Sequence, residues 1–208
     1  METILEYFSD FTWVKAIDMV GLLLGLIYLW LEFRASIWLW LVSIIMPIVH
    51  GYLYLARGLY ADFGMEVYYV LAAVYGYAMW RWSRGKDRAG EAAELPITHF
   101  PLRRVLPVTL VGLALWALIY WILITFTDSS VPMCDSFTTA LSMVALWALA
   151  QKYAEQWLLW LVVDAVCTVL YIYKQIPFTA CLYAFYTVMA VLGYRYWLRK
   201  IPKSSQTL

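Results

Sequence analysis

Charge is what this sequence has least of. Only 14% of its 208 residues are Asp, Glu, Lys or Arg, against 64% hydrophobic ones, whereas soluble domains run nearer about half apolar and about a quarter charged. That displacement excludes an ordinary water-soluble core. The formal net charge is +1, so there is no global case for nucleic acid. Histidine occurs twice, as His50 and His99, and the three cysteines are Cys134, Cys167 and Cys181. These make neither a metal-ligand set nor, being odd in number, a disulfide framework. Cys167 and Cys181 lie in apolar stretches and read as small hydrophobes, while Cys134 sits near a helix start. There is no phosphate-binding glycine loop and no Ser-His-Asp or Cys-His set with a common locale. An enzyme is therefore not expected, nor is a cofactor or a metal. The opening METILEYFSDFTW is acidic and is not read as a secretory signal.

What the chain has instead is long apolar runs. Crossing ~30 Å of hydrocarbon takes about 20 residues of helix. Seven windows qualify: 13–32, 37–56, 61–82, 105–126, 135–152, 155–174 and 178–197. The runs are continuous rather than alternating, which rejects a β-barrel. Unpaired backbone groups cannot be left in lipid, so the windows are helices. The expected fold is all-α, an integral membrane protein of seven transmembrane helices. Its expected organisation is an N-terminus at 1–12, a first three-helix bundle at 13–82, a loop at 83–104, a linker helix at 105–126, a second three-helix bundle at 135–197 and a tail at 198–208. Lys and Arg crowd the cytoplasmic side of membrane proteins. Arg81, Arg84, Lys86, Arg88, Arg103 and Arg104 mark the 81–104 connection, and Arg195, Arg199, Lys200 and Lys203 the C-terminal end. Both are expected inside and the N-terminus outside.

The halves align on one constant offset of 117 residues, the separation of Asp18 and Asp135. Trp30 then meets Trp147, Trp40 meets Trp157, Tyr54 meets Tyr171, Tyr69 meets Tyr186, Gly76-Tyr77 meets Gly193-Tyr194 and Trp80 meets Trp197. An odd linker span between them makes this a parallel repeat. Such repeats occur in secondary transporters, with substrate near the midplane between the repeats.

One stripe of the sixth span holds Trp157, Trp160, Asp164, Cys167 and Tyr171, at alternating spacings of three and four. An aspartate at membrane depth is costly and belongs against a cavity or a partner. Two indoles and a carboxylate on one face suit a flat cation, through stacking, cation–π attraction and counter-charge. The plainer alternative is that the indoles anchor the interface and Asp164 accepts a structural hydrogen bond. The equivalent stripe of the second span is Trp40, Ser43, Pro47, His50 and Tyr54. Its chemistry differs, as a ligand with two unlike ends would require, though His50 can equally be a packing histidine. Tyr68, Tyr69 and Tyr186 are further candidates for the path, with Tyr183 and Phe185 offered by the seventh span. Asp62, Glu66, Tyr153 and Glu155 are gate candidates, the last two equally readable as interface residues. Asp135-Ser136 resembles a helix cap.

The segment CDSFTTALSMVALWALAQKYAEQWLLWLVVDAVCTVLYIYK carries an Asp-Ser start, a Lys-Tyr-x-Glu-x-Trp-x-x-Trp stretch and then an Asp four residues on. It resembles the C-terminal half of the PnuC family of bacterial vitamin transporters. GLLLGLIYLWLE and LYADFGMEVYYVLAAVYGYAMWRW resemble the first half, with Tyr77 where the family has Trp. The resemblance covers about residues 13–198. It implies a SWEET-like fold of two three-helix bundles and a linker, a homotrimer in the bacterial inner membrane, and a ligand site at Trp157, Trp160 and Asp164. It also implies uptake of nicotinamide riboside by facilitated diffusion, with trapping by a cytoplasmic vitamin kinase; relatives carry thiamine or riboflavin. The family has Asn or Asp at the third motif position, typically Asn in members that carry nicotinamide riboside, so Asp164 keeps thiamine open as the alternative substrate. A membrane enzyme or scaffold is the more distant reading.

Overall fold

The computed structural model describes residues 13–56, 60–82, 85–86, 92–93, 95–175 and 177–201. Seven long helices carry them: α1 (Trp13–Phe33), α2 (Trp38–Ala56), α3 (Tyr60–Trp82), α4 (Val105–Phe126), α5 (Pro132–Ala150), α6 (Gln156–Tyr173) and α7 (Pro177–Lys200). Each coincides with one apolar window to within a few residues. The connection between α3 and α4 holds a two-stranded antiparallel pair, β1 (Gly85–Lys86) and β2 (Ala92–Ala93), and a 3-10 turn, Leu102–Arg104. The proposed extracytoplasmic segment 1–12 and the tail beyond Ile201 lie outside the described residues.

Two compact units divide the chain, Met1–Tyr77 and Ala78–Leu208. In the first, α1 packs on α2, and α3 meets α2 at two glycines. A Cβ on Gly51 would sit 3.5 Å from Glu66 Cβ. A Cβ on Gly76 would overlap the Trp40 ring outright. Pro47 stands inside α2, where it removes the amide that would bond the Ser43 carbonyl. In the second unit α4 packs on α5, α5 on α6 and α6 on α7. No residue of α4 is buried, so this wholly apolar helix offers nearly all its surface to the surroundings.

The sequence offset recurs in the backbone. The α1–α2 corner turns at Ala35 (φ 53°) and the α5–α6 corner at Lys152 (φ 54°), 117 residues apart. Both close the preceding helix in the same way. The Ser36 amide donates to Leu31 O (2.9 Å) and the Ala35 amide to Glu32 O (2.9 Å). The Tyr153 amide donates to Ala148 O (3.0 Å) and the Lys152 amide to Leu149 O (2.8 Å). This is the paired end-of-helix motif in which a left-handed residue satisfies the last carbonyls. Neither corner uses glycine, so each carries a left-handed cost of roughly 1–2 kcal/mol. At the second corner the Lys152 ammonium lies 4.2 Å above the Trp80 ring, and Trp80 Nε1 donates to Ala150 O at 3.1 Å.

One local expectation is corrected. Helix α5 starts earlier than its window, with Val131 at the cap position and Pro132 in the first turn, where proline's fixed φ suits a helix start. Asp135 is thus inside the helix and caps nothing. Its carboxylate accepts from Ser129 Oγ at 2.8 Å and pairs with Lys174 Nζ at 3.3 Å.

Candidate functional site: a buried carboxylate among tyrosines

Helix α6 presents Asp164 at 6% exposure. Thr168 Oγ1 donates to the Asp164 backbone carbonyl at 2.7 Å. Among the described residues nothing hydrogen-bonds or ion-pairs with its carboxylate. A carboxylate held in an apolar span without a partner is a large uncompensated expense, which makes this position the chemical focus of the second unit.

Three helices surround it. From α6 comes Cys167, buried, with Thr138 of α5 near its thiol. Thr138 Oγ1 is itself anchored to Cys134 O at 3.0 Å and Asp135 O at 3.1 Å. From α7 come Tyr183 and Tyr186, both within electrostatic range of Asp164. Tyr171 stacks on Tyr183 with centroids 5.2 Å apart and planes 15° from parallel, and Tyr186 meets Tyr183 edge-on at 5.9 Å. The Lys174 ammonium lies 5.9 Å from the Tyr171 ring and ties that end to Asp135. The result is a buried carboxylate within electrostatic range of Tyr183 and Tyr186, with Tyr171 stacked on Tyr183. Aromatic faces attract and stack a flat cation, and hydroxyls can bond its polar substituents.

The structure thus places Asp164 and Cys167 within range of Tyr183, one of the seventh-span candidates, and Asp164 within range of Tyr186; the stacking of Tyr183 on Tyr171 depends on helix pairing that spacing within α6 does not reveal. Trp160 is half-buried, one turn before Asp164, and its Nε1 is enclosed without a hydrogen-bond partner among the described residues. Trp157 is placed differently. It is 1% exposed, its ring meets Trp197 edge-on at 5.9 Å, and a Cβ on Gly193 would come within 2.6 Å of it. Trp40, also 1% exposed, fills the matching notch over Gly76 in the first unit. Both indoles stand in helix packing. In that unit Tyr68 and Tyr69 contact each other edge-on at 5.7 Å, with Glu66 near Tyr69. The side chains of His50, Tyr54 and Asp62 lie outside the described residues.

Tyr153 and Glu155 are engaged by the connection before α4. Thr98 bridges Tyr153 in parallel, with amide-to-carbonyl distances of 3.1 and 3.0 Å. Glu155 contacts His99 Nδ1 at 2.8 Å and accepts from the Phe100 amide at 2.7 Å. Arg104 donates to the Tyr153 hydroxyl at 2.8 Å. The Phe100 ring meets Tyr153 edge-on at 5.1 Å. The α5–α6 corner is thereby strapped by residues 98–104, a contact that sequence reasoning missed. The only available signal was His99 and the prolines flanking it in an otherwise charged connection.

Comparison with known proteins gives the following. The family described as nicotinamide mononucleotide transporter matches residues 15–199. The riboflavin/roseoflavin transporter RibM of Streptomyces davaonensis is 31% identical, with 92% of this chain and 89% of that protein covered. The nicotinamide riboside transporter PnuC of Escherichia coli is 25% identical, with 91% and 86% covered. A crystal structure of the vitamin B3 transporter PnuC superposes with a TM-score of 0.65 at 23% identity, covering 88% of this chain and 80% of that one. The last likeness speaks to the fold alone.

Proposed function

Because this chain belongs to the nicotinamide mononucleotide transporter family, the PnuC family of membrane vitamin transporters, we propose that its own substrate is nicotinamide riboside. The observation that carries this reading is the Asp164 carboxylate, buried in an apolar helix, without a partner among the described residues and within electrostatic range of Tyr183 and Tyr186, with Tyr171 stacked on Tyr183. A fixed positive ring supplies the missing counter-charge, and the tyrosine faces supply stacking worth roughly 0.5–2 kcal/mol each. The ligand set is then Asp164, Trp160, Tyr171, Tyr183 and Tyr186, with Trp157 and Trp40 holding the helices that present it. Thiamine, also cationic, fits the same carboxylate.

The mechanism is passive. Transport follows alternating access, with the N-terminus outside and the C-terminus in the cytoplasm of a bacterial inner membrane. Phosphorylation by a cytoplasmic vitamin kinase keeps the flux inward. The working assembly is a homotrimer.

A second reading has its own support: the relative at 31% identity is named for riboflavin, whose flat ring is neutral. Calorimetry with nicotinamide riboside, thiamine and riboflavin in parallel separates the readings. The expected outcome is tightest binding of nicotinamide riboside. Binding of riboflavin alone overturns the cation reading. Purified protein in liposomes exchanges labelled vitamin without ATP or a proton gradient; strict dependence on a gradient refutes facilitated diffusion.

A further inference from the structure

A cavity of about 500 Å³ lies within the second unit, away from Asp164, bounded by α4, α5 and the start of α6. Its walls are apolar, and small residues hollow it out. Thr109 and Gly112 of α4 face Ala140 and Ala148 of α5. Gly112 leaves room only to a point, since a Cβ there would stand 3.5 Å from Val144 Cγ2. The cavity follows α4 from Val105 to Trp116, a run of roughly 17 Å at 1.5 Å per residue. One leaflet of a bilayer is about 15 Å of hydrocarbon deep. The groove therefore has the length of one leaflet's acyl chain.

At its polar end the chain turns through Arg103 and Arg104, between the lining residues Leu102 and Val105. Glu155 borders the cavity, but both carboxylate oxygens are occupied by His99 and the Phe100 amide. Arg104 is held by the Tyr153 hydroxyl. Arg103, beside it on the turn that leads into α4, is exposed and has no ion pair or hydrogen bond among the described residues. An exposed guanidinium in the turn between Leu102 and Val105, which line this leaflet-deep apolar groove, matches one kind of occupant. We propose that this groove is a binding site for an anionic phospholipid, with an acyl chain lying between α4 and α5 and the phosphate on Arg103. A guanidinium suits phosphate through its planar fork of donors, and the open face of α4 gives a lipid direct entry from the bilayer.

Native mass spectrometry of the full-length protein, loaded with phosphatidylglycerol or phosphatidylcholine of the same acyl chains, tests this. The unmodified protein is expected to retain phosphatidylglycerol about five-fold better, the size of one basic residue's attraction to an anionic surface. Arg103→Gln brings the two lipids level. Thr109→Trp, at an exposed position on α4, fills the groove and removes both; Leu113→Trp does the same from further along. Three results overturn the proposal: equal retention of the two lipids by the unmodified protein, undiminished phosphatidylglycerol in both tryptophan variants, or a Thr109→Cys disulfide joining two copies, which would assign the groove to a second chain.

Discussion

The two units are alike where they bend and unlike where they carry charge. Their corners share a left-handed residue at the same register and the same two closing hydrogen bonds, at Ala35 and Lys152. Their tryptophan notches also match, Trp40 over Gly76 and Trp157 over Gly193. At the middle of the equivalent stripes the match fails: α2 has Pro47 and α6 has Asp164. The positions that match across the offset stand in packing, and the proposed ligand set includes one that differs. The same partition separates Lys152, which adds a cation over Trp80, from Ala35, which adds nothing comparable.

The largest effect should come from the divergent pair. Asp164→Asn is expected to weaken nicotinamide riboside ten-fold or more, since charge-assisted contacts contribute about 1.5–3 kcal/mol, while the uncharged reduced form of the same molecule loses little. Pro47→Ala should change calorimetric affinity less than about three-fold at that scale. Equal losses for the charged and uncharged ligands would make Asp164 structural.

Next come the shared notches. Gly76→Ala and Gly193→Ala each overpack an indole and should cost about 1–3 kcal/mol, read as a lowered Tm in detergent. Trp157→Phe should relieve the Gly193 change and leave the Gly76 change as it was. The corners are subtler. Ala35→Gly should raise stability by up to about 1 kcal/mol, because glycine lacks the left-handed penalty. Lys152→Gly should gain less or lose, because it also deletes a cation–π contact of roughly 0.5–2 kcal/mol. Smallest is Glu155→Gln. The His99–Glu155 pair is partly exposed, and such pairs contribute about 1 kcal/mol or less. The expected sign is faster hydrogen exchange at the Thr98 and Phe100 amides with Tm nearly unchanged.

Much of the architecture was legible because lipid imposes one rule on every span. Seven apolar windows became seven helices, with Pro132 shifting only the start of α5. The 117-residue offset, read from Trp, Gly and Asp pairs, reappears in the corner hydrogen bonds. Asp164 stood out because ionisable residues are rare at that depth. The use of each indole was harder to read. Trp157 and Trp160 share a stripe with Asp164, but a stripe only names a face; which neighbour occupies that face depends on α7, and Gly193 turned out to receive Trp157. The pairing of Tyr171 with Tyr183 was hidden for the same reason, since it joins two helices. The strap at 98–104 was hard to read because its contacts, a backbone bridge and the Glu155 and Tyr153 pairings, join residues about fifty apart in the chain.

The two glycine notches bear on motion. Branched side chains that interdigitate lock neighbouring helices into one register, so turning one helix means lifting it clear of the other. A flat indole against bare backbone has no teeth. Helices α3 and α7 each meet a neighbour at one such smooth bearing, where tilting meets less resistance than at the Tyr171–Tyr183 stack or the Gly51 contact.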